Sequence, residues 1–211
     1  MGTDPIDSGL VASLNRPSGN LTGVYNLNTE VVAKRLGLLR ELIPSAVRVA
    51  VLANPSNVRG TSTMLGVLEP AARALGIQIQ IYNASTRQDI DATFAAFGRN
   101  KPDALFVAPE QLFNTRRVQL AALAARYVLP TAYSERRYVE AGGLMSYGAS
   151  LRDNYHQVGV YAGRILNGAK PVDLPVLQPT KFELVINAQI ARILDLTVPP
   201  TLLALADEVI E

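Results

Sequence analysis

Cysteine and tryptophan are both absent from this 211-residue chain, and histidine occurs once, as His156. Without cysteine there can be no disulfide, no thiolate nucleophile and no cysteine-ligated metal. Aromatic residues are few, at 6%, and charge is nearly balanced, with 20 basic against 18 acidic residues. The densest basic pairs, Arg116-Arg117 and Arg136-Arg137, form no stripe with interleaved aromatics. They read as solvated helix faces, so a nucleic-acid partner is not expected. The longest apolar stretches, Val49–Ala53 and Leu120–Ala125, fall far short of the roughly 20 residues a membrane helix needs. The opening Met1–Pro5 has neither the basic nor the apolar part of a secretory signal, so export by that route is not expected of the chain as written.

Catalytic signatures are missing too. No GxSxG elbow, P-loop or HExxH occurs. His156, between Tyr155 and Gln157, has no nucleophile at a recognisable offset and reads as a structural or surface residue. Gly142-Gly143 and Gly148 follow no dinucleotide-binding spacing, and no acidic cluster has calcium-loop spacing. The expectation is a protein that is not an enzyme, with no catalytic residues, no metal and no cofactor.

What is present is alternation. Five short runs read as strands: Arg48–Ala53, Ile77–Tyr82, Ala104–Ala108, Leu129–Tyr133 and Leu144–Tyr147. Helical spacing fills the gaps, as in Val32, Leu36, Leu39 and Ile43, or Leu65, Leu68, Ala72 and Leu75 ahead of Gly76. Units of this kind recur about every 25 to 30 residues, as in a doubly wound α/β sheet. The spacing therefore predicts a Rossmann-like, five-stranded parallel sheet. Outside this block, Asp4–Leu14 reads as a short helix capped by Thr3 or Asp4, and Asn20–Tyr25 as a strand-like crossover. Ser150 to Asp153 resembles a capping box opening a long helix to Gly168. Phe182–Ile186 reads as a further strand, with helices at Ala188–Leu194 and Thr201–Ala206. These terminal pieces have no sheet of their own, and read as parts of a second, incomplete lobe.

In open α/β sheets, ligands dock beyond the carboxyl ends of the strands. There the first strand is followed by Asn54-Pro55-Ser56-Asn57, a helix start whose free N–H groups suit an anion such as a carboxylate, or an ordinary helix cap. The third strand runs into Pro109-Glu110, the fourth into Tyr133-Ser134-Glu135 and the fifth into Tyr147-Gly148. Two tyrosines on neighbouring strand ends can clamp a flat ligand, or simply close the core.

Long stretches then carry a resemblance. Thr3-Asp4-Pro5, Gly9 to Pro17 (GLVASLNRP) and Gly19 to Gly23 (GNLTG) resemble the DPV…GLVxSLxRPGGNxTG stretch of a family of ABC-transporter substrate-binding proteins, the type I periplasmic-binding kind associated with tryptophan or aromatic amino-acid uptake. Val51 to Pro55, Asp103 to Val107, Tyr138 to Gly148, Pro179 to Asn187 and Val198 to Pro200 extend it along the chain. Ser18 departs from the family's second small glycine. The resemblance implies two lobes closing on a small molecule, an amino acid or aromatic acid, in the cleft between them, a membrane ABC permease as partner, and a periplasmic location.

It also implies a first lobe of about a hundred residues ahead of Thr3, so the chain is expected to be truncated at its N-terminus. On that reading residues 1–22 are a remnant of the first lobe and crossover, 23–143 a complete α/β lobe, and 144–211 a hinge return with the C-terminal segment of the first lobe. A homodimer could then cover the missing lobe. The implied ligand-binding residues are Asp4 towards an ammonium, Ser56 and Asn57 towards a carboxylate, and Tyr133, Ser134, Glu135 and Tyr147. Two other readings stay open: a ligand-sensing domain of a transcription regulator, and a truncated binding protein without transport activity.

Overall fold

The computed structural model describes residues 4–211, so Thr3 as a helix cap lies outside the described residues. The chain divides into two compact units, one of residues 4–29 with 149–182, the other of 30–148 with 183–211.

The larger unit opens with helix α1 (Val32–Leu42), then β1 (Arg48–Ala53), α2 (Val58–Ala74), β2 (Gln78–Asn83), α3 (Arg87–Phe97), β3 (Ala104–Val107), the short α4 (Gln111–Thr115), α5 (Arg117–Arg126), β4 (Thr131–Tyr133), α6 (Arg136–Glu140) and β5 (Met145–Ala149). It is completed by β6 (Phe182–Asn187), α8 (Ala188–Ile193), α9 (Pro200–Leu205) and β7 (Glu208–Ile210), while α7 (Leu151–Leu166) belongs to the smaller unit. β1 pairs in parallel with β2 and β3, β3 with β4, and β4 with β5. The apolar runs that mark β1 and β3 are buried on both faces, as parallel strands under helices must be. The helical stripes pack on them: Val32, Leu36 and Leu39 from α1, Leu68 and Ala72 from α2, and Phe94 and Phe97 from α3. α3 starts on a full capping box, in which Thr86 accepts from the Asp89 N–H and Asp89 accepts from the Thr86 N–H.

The expected five-stranded sheet is corrected to seven strands in the order β2-β1-β3-β4-β5-β6-β7. The strand at Phe182, expected to lie with first-lobe pieces, joins this same sheet. Its direction follows from two bonds at opposite ends of β5: the Ser150 N–H donates to the Lys181 carbonyl (3.0 Å), and the Asn187 N–H to the Leu144 carbonyl (2.9 Å). β5 and β6 therefore run antiparallel, and the sheet is mixed. The physical reason is edge satisfaction. After β5 the parallel sheet still presents a row of unpaired backbone groups, and the returning chain covers them. β7 then pairs in parallel with β6.

The smaller unit is held by backbone bonds between its two segments. The Tyr25 N–H donates to Leu177 (2.8 Å), Leu177 returns to Gly23 (2.8 Å), and Val176 donates to Leu14 (2.7 Å). Val11, Tyr25 and Val176 form its small core. Two expectations fail here. Asp4–Leu14 is a run of turns rather than a helix: Gly9 takes a left-handed φ of 70° right after the first turn, which stops propagation. Asn20–Tyr25 is no strand, only a single parallel bridge between Val24 and Leu177. α7 begins where the capping pattern predicts, with the Ser150 side chain accepting from the Asp153 N–H.

Candidate functional site

The loops after five neighbouring strands of the larger unit meet along one edge of the sheet. β1 ends at Ala53, and the next residue, Asn54, folds into an Asx turn, its side-chain oxygen accepting from the Ser56 N–H at 3.0 Å. That turn presents the Ser56 hydroxyl to Ser85, after β2, at 3.2 Å. Asn57 caps α2, accepting from the Gly60 N–H (3.1 Å), and its amide donates to Glu110, after β3, at 2.8 Å. From α4, the Asn114 amide donates to Glu135, after β4, at 2.9 Å, while its oxygen accepts from the Tyr138 hydroxyl at 2.9 Å. The rim ends where Gly148 of β5 lies against the Ser134 carbonyl. A methyl group at position 148 would fall far inside contact distance of that oxygen, so only glycine allows the approach.

Ser56, Asn57, Ser134 and Glu135 are thus joined into one polar rim, with Ser85, Glu110 and Asn114 as links between them. Glu135 is largely buried, its side chain 10% exposed, and is paired with Arg137 as well as Asn114. Asn57 spends both ends of its amide within the protein, which makes it a cap and brace for the rim. Ser56, half of an exposed hydroxyl pair, stands open.

The two tyrosines differ. Tyr133 is fully buried and stacks on Tyr138, ring centroids 4.5 Å apart, so it closes the core. Burial pushes its phenol well above the usual tyrosine range. Tyr147 is only half-buried; desolvation and the nearby Asp207 carboxylate raise its phenol, and the Arg35 charge opposes them. Asp4 lies in the smaller unit, where its carboxylate accepts from the Ile6 N–H (2.7 Å) and the Asp7 N–H (3.2 Å) and stabilises the turn there.

Arg35, on α1, escaped the sequence reading. It is fully buried: its Nε donates to the Tyr147 carbonyl at 2.8 Å, and its guanidinium carbon stands 5.5 Å from the Phe106 ring centroid. Nη1 and Nη2 have no hydrogen-bond partner among the described residues, and the Tyr133 and Ser146 hydroxyls are likewise buried and unpartnered. Burial lowers the guanidinium pKa to about 10, partly offset by Tyr138, Glu135 and Tyr147. The group stays charged at neutral pH. Its signal was the helix period: Arg35 stands three residues after Val32 and four before Leu39, on the face that packs inward.

The pair Arg136-Arg137, expected as a solvated face, is an ion-pair node. Arg136 contacts Glu140 (2.7 Å), Glu183 (3.4 Å) and Glu208 (2.7 Å), tying α6 to β6 and β7. The Glu140 and Glu208 bonds hold its pKa above the ordinary arginine value. His156 is exposed. Among the described residues, no group of three or more His, Asp or Glu is placed to hold a metal ion, and no helix is long and apolar enough to cross a membrane. A groove of about 610 Å³ runs beside α2 and β2, lined by Pro55, Val58, Leu65 and Ile81 among others, and none of the rim residues named above lines it.

Comparison with known proteins places this arrangement. The chain is 26% identical over 194 residues to a protein of Clostridioides difficile described as a tyrosine-binding protein; the match covers 92% of this chain and 55% of that protein. It thus spans about half the length of that relative. A crystal structure of a conserved domain protein from Vibrio cholerae superimposes with a TM-score of 0.86 at 26% identity, covering 98% of this chain and 69% of the other. The ABC domain of Streptococcus pneumoniae in complex with L-Trp gives 0.83 at 28% identity, covering 99% and 71%. The fold is accordingly α/β of the type I periplasmic-binding kind. Residues 1–210 match the family described as ABC transporter substrate binding protein, and the chain belongs to that family.

Proposed function

We propose that this chain is the solute-binding component of an ABC importer and that it binds an amino acid with an aromatic side chain. The observation that carries this reading is the polar rim in which hydrogen bonds join Ser85 to Ser56, Asn57 to Glu110, Glu110 to Asn114 and Asn114 to Glu135, with Gly148 packed on the carbonyl of the neighbouring Ser134. A continuous edge of this kind, at the carboxyl ends of parallel strands, suits a small polar ligand held without reaction. Its relatives support the ligand class, one being described as tyrosine-binding and another being solved with L-Trp.

In this reading the half-buried Tyr147 and the open Ser56 touch the ligand, and Ser134 and Glu135 line its seat. Tyr133 and Asn57 hold the rim from behind. Residues 30–148 with 183–211 form the α/β lobe described above, and the smaller unit is what this chain carries of a first lobe. The partner is a membrane permease, and the place of action is outside the cytoplasmic membrane.

A thermal-shift and calorimetry panel of the twenty amino acids tests this. A ligand at about a hundred times its dissociation constant adds roughly 2.7 kcal/mol of stability. L-tyrosine or L-tryptophan should do so while L-alanine and L-lysine do not. Absence of any stabilising amino acid sinks the reading.

A further inference from the structure

We propose that Arg35 is a positioning residue for the binding edge: it clamps the Tyr147 carbonyl and so fixes β5 just before the chain leaves the larger unit. Only the ligand arm of the test below rests on the solute-binding reading; the clamp itself is a matter of the larger unit's own structure.

A guanidinium is an expensive way to fill a core. An unpaired buried charge costs several kcal/mol, and an apolar residue of similar volume is often as stable or more so. Arg35 nonetheless sits fully buried beneath the sheet with Nη1 and Nη2 unpartnered. Its secured contacts are the Nε bond to the Tyr147 carbonyl at 2.8 Å and the Phe106 ring at 5.5 Å. An apolar side chain could replace the ring contact but not the hydrogen bond.

The position of that bond is informative. β4 ends at Tyr133, whose register partner on β5 is Ser146, so the β4–β5 ladder stops there and Tyr147 is the first residue beyond it. Arg35 donates at that point. One residue later, Gly148 packs on the Ser134 carbonyl, and between Gly148 and Ala149 the chain passes into the smaller unit. Arg35 itself stands on the first helix after the earlier passage, between Thr29 and Glu30. One side chain therefore ties the chain's first entry into this unit to its exit, and it grips the backbone of the half-buried Tyr147.

The test compares Arg35→Met, which preserves bulk, and Arg35→Lys, which preserves charge, with the wild-type full chain. Hydrogen exchange without ligand reads the clamp. In Arg35→Met the amides of residues 147–150 should exchange about tenfold faster while those of β1 and β3 hold. Unchanged exchange at 147–150, or a uniform rise across the sheet, overturns the proposal, because either marks Arg35 as ordinary core. Calorimetry with L-tryptophan and L-tyrosine reads the consequence. Whichever probe the wild type binds should weaken about tenfold in Arg35→Met, with partial recovery in Arg35→Lys; equal affinity in all three overturns the positioning role. Should Arg35→Met not fold, Arg35→Lys carries the exchange measurement, with the same two outcomes. If the wild type binds neither probe, the binding reading fails, and the exchange data alone decide the clamp.

Discussion

At the scale of single residues, Gly148 lies backbone against backbone on the Ser134 carbonyl, so closely that an added methyl group would clash with it. No side chain can yield there. Gly148→Ala should destabilise the protein by about 1–3 kcal/mol as an overpacked site, read as a lower denaturation midpoint. Gly159, on α7, has nothing within 4 Å of where a methyl group would go. Gly159→Ala should leave stability unchanged or raise it by about 0.5–1 kcal/mol; equal effects at both positions would contradict the packing argument. Asp103 offers a pH test. Burial pulls its carboxyl upward, but N–H bonds from Arg48 (2.7 Å) and Val47 (2.9 Å), with the Arg48 charge, outweigh this and hold the pKa below its ordinary 3.8. A depressed folded-state pKa gives stability that is present above the unfolded value and lost as pH falls through the folded one. Asp103→Asn should therefore be less stable than wild type at neutral pH, the gap closing below about 3.8. A gap independent of pH rules the carboxylate out as its source.

At the scale of elements, Arg136 joins α6 to the last two strands. The pairs are partly exposed and individually small, and together contribute about 1 kcal/mol. Arg136→Ala should cost that much and speed hydrogen exchange at β6 and β7, leaving β1 untouched. The strands whose apolar runs are buried on both faces, β1 and β3, were legible from sequence because burial itself dictates such runs. β7 was not: its three residues, Glu208–Ile210, are largely exposed and carry no pattern, and only pairing with β6 makes them a strand. For the site, sequence located the edge, since strand ends and turn residues leave local marks. It could not separate a ring that closes the core, Tyr133, from one that is half-exposed, Tyr147, because neighbouring helices decide that. Nor could it assign Arg136 or Arg35, whose partners lie far along the chain.

At the scale of the whole molecule, the two units are unequally filled. The larger holds an apolar core running from Val32 to Leu202, and the smaller has Val11, Tyr25 and Val176. Opening free energy follows buried apolar area, so amides at Tyr25 and Leu177 should exchange well ahead of those at Val51 and Phe106. Equal protection would mean that the smaller unit gains its stability elsewhere. Strand order also has a bearing on biosynthesis. β5 is complete at Ala149, but its neighbour β6 ends only at Asn187. At ribosomal rates of about 5–20 residues per second, the nascent sheet waits several seconds with that flank bare. During this interval the uncovered flank keeps its backbone groups open to pairing with another chain, and the rate of elongation between these strands sets how long that exposure lasts.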